Sequence, residues 1–142
     1  MIIFKSALNN NIYYIAYIYN LKKGDLIMSD LQITDDGLGI KDGSLIIIGG
    51  VEKVRQHIII ALNTFYNDWI LDSTKGIDYA LGLRDMEFLE YDVKKQLKEV
   101  EDVESVDDFS MDFDRETLTV NITAKIKTAY GMLDLSESII QY

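Results

Sequence analysis

The sequence predicts an α+β fold, two helices packed on a small antiparallel β-meander in a single domain. Three observations predict it. Apolar residues recur at spacings of three and four over Val51–Phe65 and again over Met86–Val100, as they do on helices with one buried face. From Phe109 onward the period changes to two, the signature of half-buried strands. And 142 residues, 48% of them hydrophobic, suit one core better than two.

Residues 1–27 differ in kind from the rest. Asn9-Asn10-Asn11 precedes an apolar run from Ile12 to Tyr19, and four of the nine Tyr lie in this segment. The run is too short to cross a bilayer. With one Lys before it and Tyr19-Asn20-Leu21-Lys22 after it, it makes a poor signal peptide. The codons of Lys23-Gly24-Asp25 can spell a ribosome-binding sequence at a suitable distance from Met28. Residues 1–27 are therefore expected to be a leader read from a start placed too early, or a flexible N-terminal extension. Residues 28–142 would be the working domain. An N-terminal strand or docking helix is the alternative.

Asp35-Asp36-Gly37-Leu38-Gly39 and Lys41-Asp42-Gly43-Ser44 carry turn residues. Leu45–Ile48, rich in β-branched residues and closed by Gly49-Gly50, reads as a strand. A helix from Val51 to about Thr64 buries Val51, Val54, Ile58, Ala61, Leu62 and Phe65. In the loop that follows, Gly76 marks a turn, and Trp69 and Tyr79 cover part of the core. Asp85 caps a second helix running to about Glu99, with the stripe Met86, Leu89, Val93, Leu97 and Val100. The first two meander strands are joined by the turn Asp114-Arg115-Glu116-Thr117. That turn pairs Phe113 with Leu118, Met111 with Val120, Phe109 with Ile122 and Glu104 with Lys127. Leu133 and Leu135, with Asp134 and Ser136 between them, open a third strand that ends near Ile140. It lies at the chain end and is expected to be an edge, left unpaired or blunted by charges such as Asp134 and Glu137.

Composition excludes several function classes. The net charge of −10 disfavours a sequence-independent duplex DNA binder and an anionic membrane surface, both of which need Lys and Arg. The absence of Cys removes disulfides, thiol nucleophiles and Cys-ligated metals, and one His cannot make a multi-histidine site. Asp112, Asp114 and Glu116 could be drawn as a metal site, but the calcium-loop spacing is missing and alternation explains them as the wet side of a strand. His57 has no elbow Ser or Cys to serve. Asp68, Asp72, Asp78 and Glu87 could supply the carboxylate pair of a glycosidase, a signal of little value among 24 acids. No GxGxxG or Walker A sequence is present. The expectation is no catalytic site, no cofactor and no metal.

The segment from Ile48 to Tyr79 contains Gln56 on its helix, then Asp68-Trp69-Ile70-Leu71-Asp72, then Gly76-Ile77-Asp78-Tyr79. It resembles the baseplate wedge family of contractile bacteriophage tails, above all the small wedge proteins of Mu-like and P2-like phages and prophages. Gln56, Trp69, Leu71, Asp72, Gly76, Asp78 and Tyr79 match the family pattern. Tyr66-Asn67-Asp68 stands where relatives carry Arg-Gly-Glu, and Glu101-Asp102 replaces their Pro-Gly turn. The resemblance implies a structural protein, not an enzyme, placed in the tail baseplate of the virion after assembly in the host cytoplasm. It implies six copies around the hub, contacts to larger wedge subunits and the sheath protein, and no nucleic-acid or membrane partner. Leu133, Leu135 and Ile139 would belong to an edge strand that joins a partner's sheet. A small peptidoglycan hydrolase working from a carboxylate pair is the alternative.

Overall fold

The computed structural model describes residues 2–8, 11–17, 29–34, 37–68 and 72–140. The chain divides into two compact units, Met1–Gln56 and His57–Tyr142. The fold is α+β and rich in antiparallel strands, with three helices among the described residues where the sequence predicts two.

In the first unit, β1 (Ile2–Leu8) pairs with β2 (Asn11–Tyr17), so the apolar run of the N-terminal segment lies largely in a strand. Short strands follow: β3 (Ser29–Leu31), β4 (Ile33–Thr34), β5 (Gly37–Leu38), β6 (Ile40–Lys41), β7 (Ser44–Leu45) and β8 (Ile47–Gly49). The strand expected over Leu45–Ile48 is split at Ile46, because β7 pairs with β6 and β8 pairs with β3. Its apolar residues are not core either: Ile47 is 67% exposed and Leu45 49%, and Ile46 and Ile48 are half-buried. The turn joining β6 to β7 forms as its residues predict, with Asp42 and Gly43 both left-handed (φ 52° and 78°). Helix α1 (Gly50–Leu62) begins in this unit, with Val54 fully buried.

The second unit holds the rest of α1, then α2 (Tyr79–Gly82), α3 (Met86–Glu99), β9 (Val103–Asp114), β10 (Thr119–Thr128) and β11 (Gly131–Ile140). The last carbonyls of α1 are taken by side chains, Ile59 by the Asn63 amide at 2.9 Å and Ile60 by the Thr64 hydroxyl at 2.7 Å. Asp85 caps α3 as predicted, accepting from the Phe88 N–H at 3.1 Å, and Leu89, Val93 and Leu97 are fully buried. Helix α2 is too short to show a period and was invisible to the periodic reading. Asp78 caps it, accepting from the Leu81 N–H at 2.9 Å. Gly82 lies so close to α3 that an added Cβ would stand 2.6 Å from Leu89 Cδ1.

The three meander strands lie in the order β11–β10–β9. One face of β10 and β11 supplies the core: Val120, Ile122, Ala124 and Ile126 with Leu133, Leu135 and Ile139. The pairing of β9 with β10 differs from the expectation by two residues. Phe113 faces Val120 rather than Leu118, and Met111 faces Ile122. The loop keeps four residues but moves along by one, to 115–118, because Leu118 turns left-handed (φ 53°) and leaves the ladder. A slip of two preserves the face, so the predicted apolar side is right although its partners are not. The slip also removes the predicted Phe109–Ile122 pair, and beyond Thr123, near the left-handed Asp108 (φ 46°), β9 carries an extra residue. A second irregularity follows at Lys127. Ser105, not Glu104, is the register partner of Lys127, yet Glu104 reaches it as an ion pair at 2.8 Å.

Candidate assembly site

Gln56 is a backbone clamp. Its Oε1 accepts from the Ile33 N–H at 2.7 Å and its Nε2 donates to the Leu31 carbonyl at 2.9 Å. One amide thus satisfies both a donor and an acceptor between β3 and β4.

Gly76, Asp78 and Tyr79 come together where the loop after α1 folds back on itself. The Ile77 N–H donates to the Thr64 carbonyl at 2.9 Å, and the Tyr66 N–H donates to the Ile77 carbonyl at 3.0 Å. Gly76 has φ 98°, and a Cβ there would stand 2.5 Å from the Phe65 carbonyl oxygen, so the turn admits only glycine. Tyr79 is buried, packs its ring 5.3 Å from that of Phe65, and donates its hydroxyl to the Leu62 carbonyl at 2.7 Å. Burial, with Asp92 nearby, pushes its phenol well above the ordinary range. Asp72 stands apart in its own turn. Hydrogen bonds from the Thr74 hydroxyl and N–H hold its carboxyl below the usual carboxylate value. Trp69 and Leu71 lie outside the described residues. The motif residues that are described therefore close turns, cap helices and satisfy backbone.

The carboxylates have the same character. Asp78 caps α2, and Asp114 accepts from the Glu116 and Thr117 N–H groups at 2.8 and 3.3 Å. Glu116 sits in the turn rather than on the strand face, so Asp112, Asp114 and Glu116 do not form the expected row. Among the described residues no group of three or more acids or His stands in a metal-holding arrangement. No helix among them is long and apolar enough to cross a membrane.

Among the described residues β11 pairs with β10 alone, in unbroken register from Thr119↔Ile140 to Thr128↔Gly131. Its first pair closes a two-residue turn, so Thr128 and Gly131 exchange both ladder hydrogen bonds. Alternation then turns the N–H and C=O of Leu133, Leu135, Glu137 and Ile139 toward β10. Those of Met132, Asp134, Ser136 and Ser138 point to the open side. Leu133, Leu135 and Ile139, predicted as edge residues, sit in an edge strand with their side chains buried. Glu137 shares their parity and is half-buried opposite the fully buried Ile122. Periodicity could have found it, as the one charge on the apolar side of that strand.

Among the described residues, a small antiparallel sheet with a regular edge, and motif residues spent on architecture, are the features of a structural protein. Residues 15–131 match the family described as contractile injection system sheath initiator. The chain belongs to that family, and so is a structural component of the tail or baseplate in which a contractile sheath is assembled. No curated protein matches the chain.

Proposed function

We propose that this chain founds the sheath by offering β11 to an extended segment of the first sheath subunits, from a seat in the inner baseplate beside larger wedge subunits. Six copies would ring the hub, assembled in the host cytoplasm, as in the Mu-like and P2-like small wedge proteins it resembles. The observation that carries this reading is the free side of β11, ten residues long, in a chain of the sheath initiator family. Every backbone group on that side can pair with an added strand. Trp69 and Leu71 would be fold or interface anchors. The hydrolase alternative gains nothing from Asp72 and Asp78, whose carboxylates are committed to a turn and a cap.

The test is Ser136→Pro. The Ser136 N–H faces the open side, so proline there removes a donor from the edge and none from the β10 ladder. The expected product is folded and fails to capture sheath protein or support sheathed particles. Normal sheathed particles would overturn the proposal. This is cleaner than deleting Ser136–Tyr142, which would also remove the buried Ile139 from the core.

A further inference from the structure

Glu137 is a carboxylate in an otherwise apolar row. Its neighbours on that side of β11, Leu135 and Ile139, are each 3% exposed, while Glu137 is half-buried. No hydrogen bond or ion pair engages it among the described residues, although Lys125 and Lys127 on the central strand are both taken, by Asp108 at 2.9 Å and Glu104 at 2.8 Å. A strand laid along β11 would put side chains beside Glu137, about 4.5–5.5 Å away between Cβ atoms, and take more of its water. A carboxylate so covered needs a cation, because an unpaired charge is costly to desolvate.

The residues of β11 also say which strand cannot provide that cation. From Gly131 to Ile140 it contains Asp134 and Glu137 and no Lys or Arg. If the β11 edges of two copies pair antiparallel, Glu137 falls beside a Gly, Leu or Ile, or beside its own counterpart, in every register that keeps the apolar sides together. Self-pairing thus brings two Glu137 carboxylates into one apolar row with no base on that side of either β11, whereas Asp134 lies opposite Lys125 on the other side. On these grounds, and resting on the strand-addition reading above, we infer that Glu137 selects the partner: the segment that joins β11 carries a Lys or Arg beside Glu137 among apolar residues, and a second copy of this chain is rejected.

The experiment co-expresses the full chain with the sheath protein of the same particle and measures co-purification and affinity at low and high salt. Glu137→Gln keeps the shape and removes the charge. It should weaken binding about threefold to tenfold at low salt and flatten the salt dependence. Glu137→Lys should abolish capture. Glu137→Leu, alone in solution, should add self-association absent from the wild type in sedimentation. Ser136→Pro separates the two levels of the argument. If it loses the sheath protein while Glu137→Gln and Glu137→Lys bind as wild type does, the charge selection is overturned and strand addition stands. If Ser136→Pro binds normally, both fall. An unchanged sedimentation profile for Glu137→Leu overturns the rejection of a second copy.

Discussion

Strands β9 and β11 flank the same central strand and are both edges among the described residues, yet one is irregular and the other regular. Strand β9 breaks register twice against β10, carries the left-handed Asp108, and has Lys94 of α3 lying 4.8 Å over its Phe109 ring. Strand β11 keeps perfect register along its whole length and lacks Lys. Bulges and covering side chains are the usual means of keeping an edge from pairing. Where one edge carries them and the other does not, the unprotected side is the one that the proposed strand addition would use. The lesson extends to charge: β9 holds its acids on the wet side of the sheet, whereas Glu137 of β11 shares the parity of the core.

The largest way to break this comparison is to remove what the edges share. Ile122 is fully buried between Met111 and Glu137, and Ile122→Ala should cost about 2–5 kcal/mol. Thermal unfolding should show a clear fall in Tm, with both edges lost together.

Deleting Asp108 should erase the difference from the other side. The extra residue disappears, β9 runs straight against β10, and the lost ion pair with Lys125, exposed on both sides, contributes little. The variant should fold and self-associate through β9 in sedimentation. A variant that behaves as the wild type would show that the bulge guards nothing.

Acid should separate the two turns. The Asp114 carboxyl is held below its ordinary value, chiefly by the Glu116 N–H and then by Thr117. Its contribution is complete above the unfolded value near 3.8 and is lost as pH falls through the lower folded value. The turn between β10 and β11 is held instead by the Thr128 hydroxyl, which donates to the Gly131 carbonyl at 2.8 Å and does not titrate in this range. Hydrogen exchange below about pH 4 should therefore loosen the β9–β10 turn before the β10–β11 turn. Asp114→Asn should remove that pH dependence.

The smallest effect belongs to Leu118, exposed and left-handed in the β9–β10 loop. Leu118→Gly should raise stability by up to about 1 kcal/mol, because a left-handed non-glycine residue carries strain that glycine does not. An unchanged or lower Tm would show that the leucine side chain matters more than its backbone.

Much of this was legible because it rests on residue type and period. Asp85 before a 3–4 stripe fixed the start of α3, and alternation gave all three meander strands with their apolar sides. The register was misread because nothing in the identity of Leu118 announces a left-handed residue. The strand at Leu45–Ile48 was misread as one unit because composition does not reveal that its halves pair with different neighbours. Within the motif, Gly76 was legible as a turn. The use of Gln56 was not, since its partners lie 23 and 25 residues away and are main-chain atoms.

That last contact governs how freely this region can change over generations. Because Gln56 grips the backbone at Leu31 and Ile33, the two hydrogen bonds themselves do not depend on the side chain at 33. Position 56 has no such latitude: Glu lacks the amide donor, and Asn is one methylene short. The burden of heredity therefore falls on one helical residue, and a saturation scan should find position 56 less tolerant than position 33 in the segment it holds.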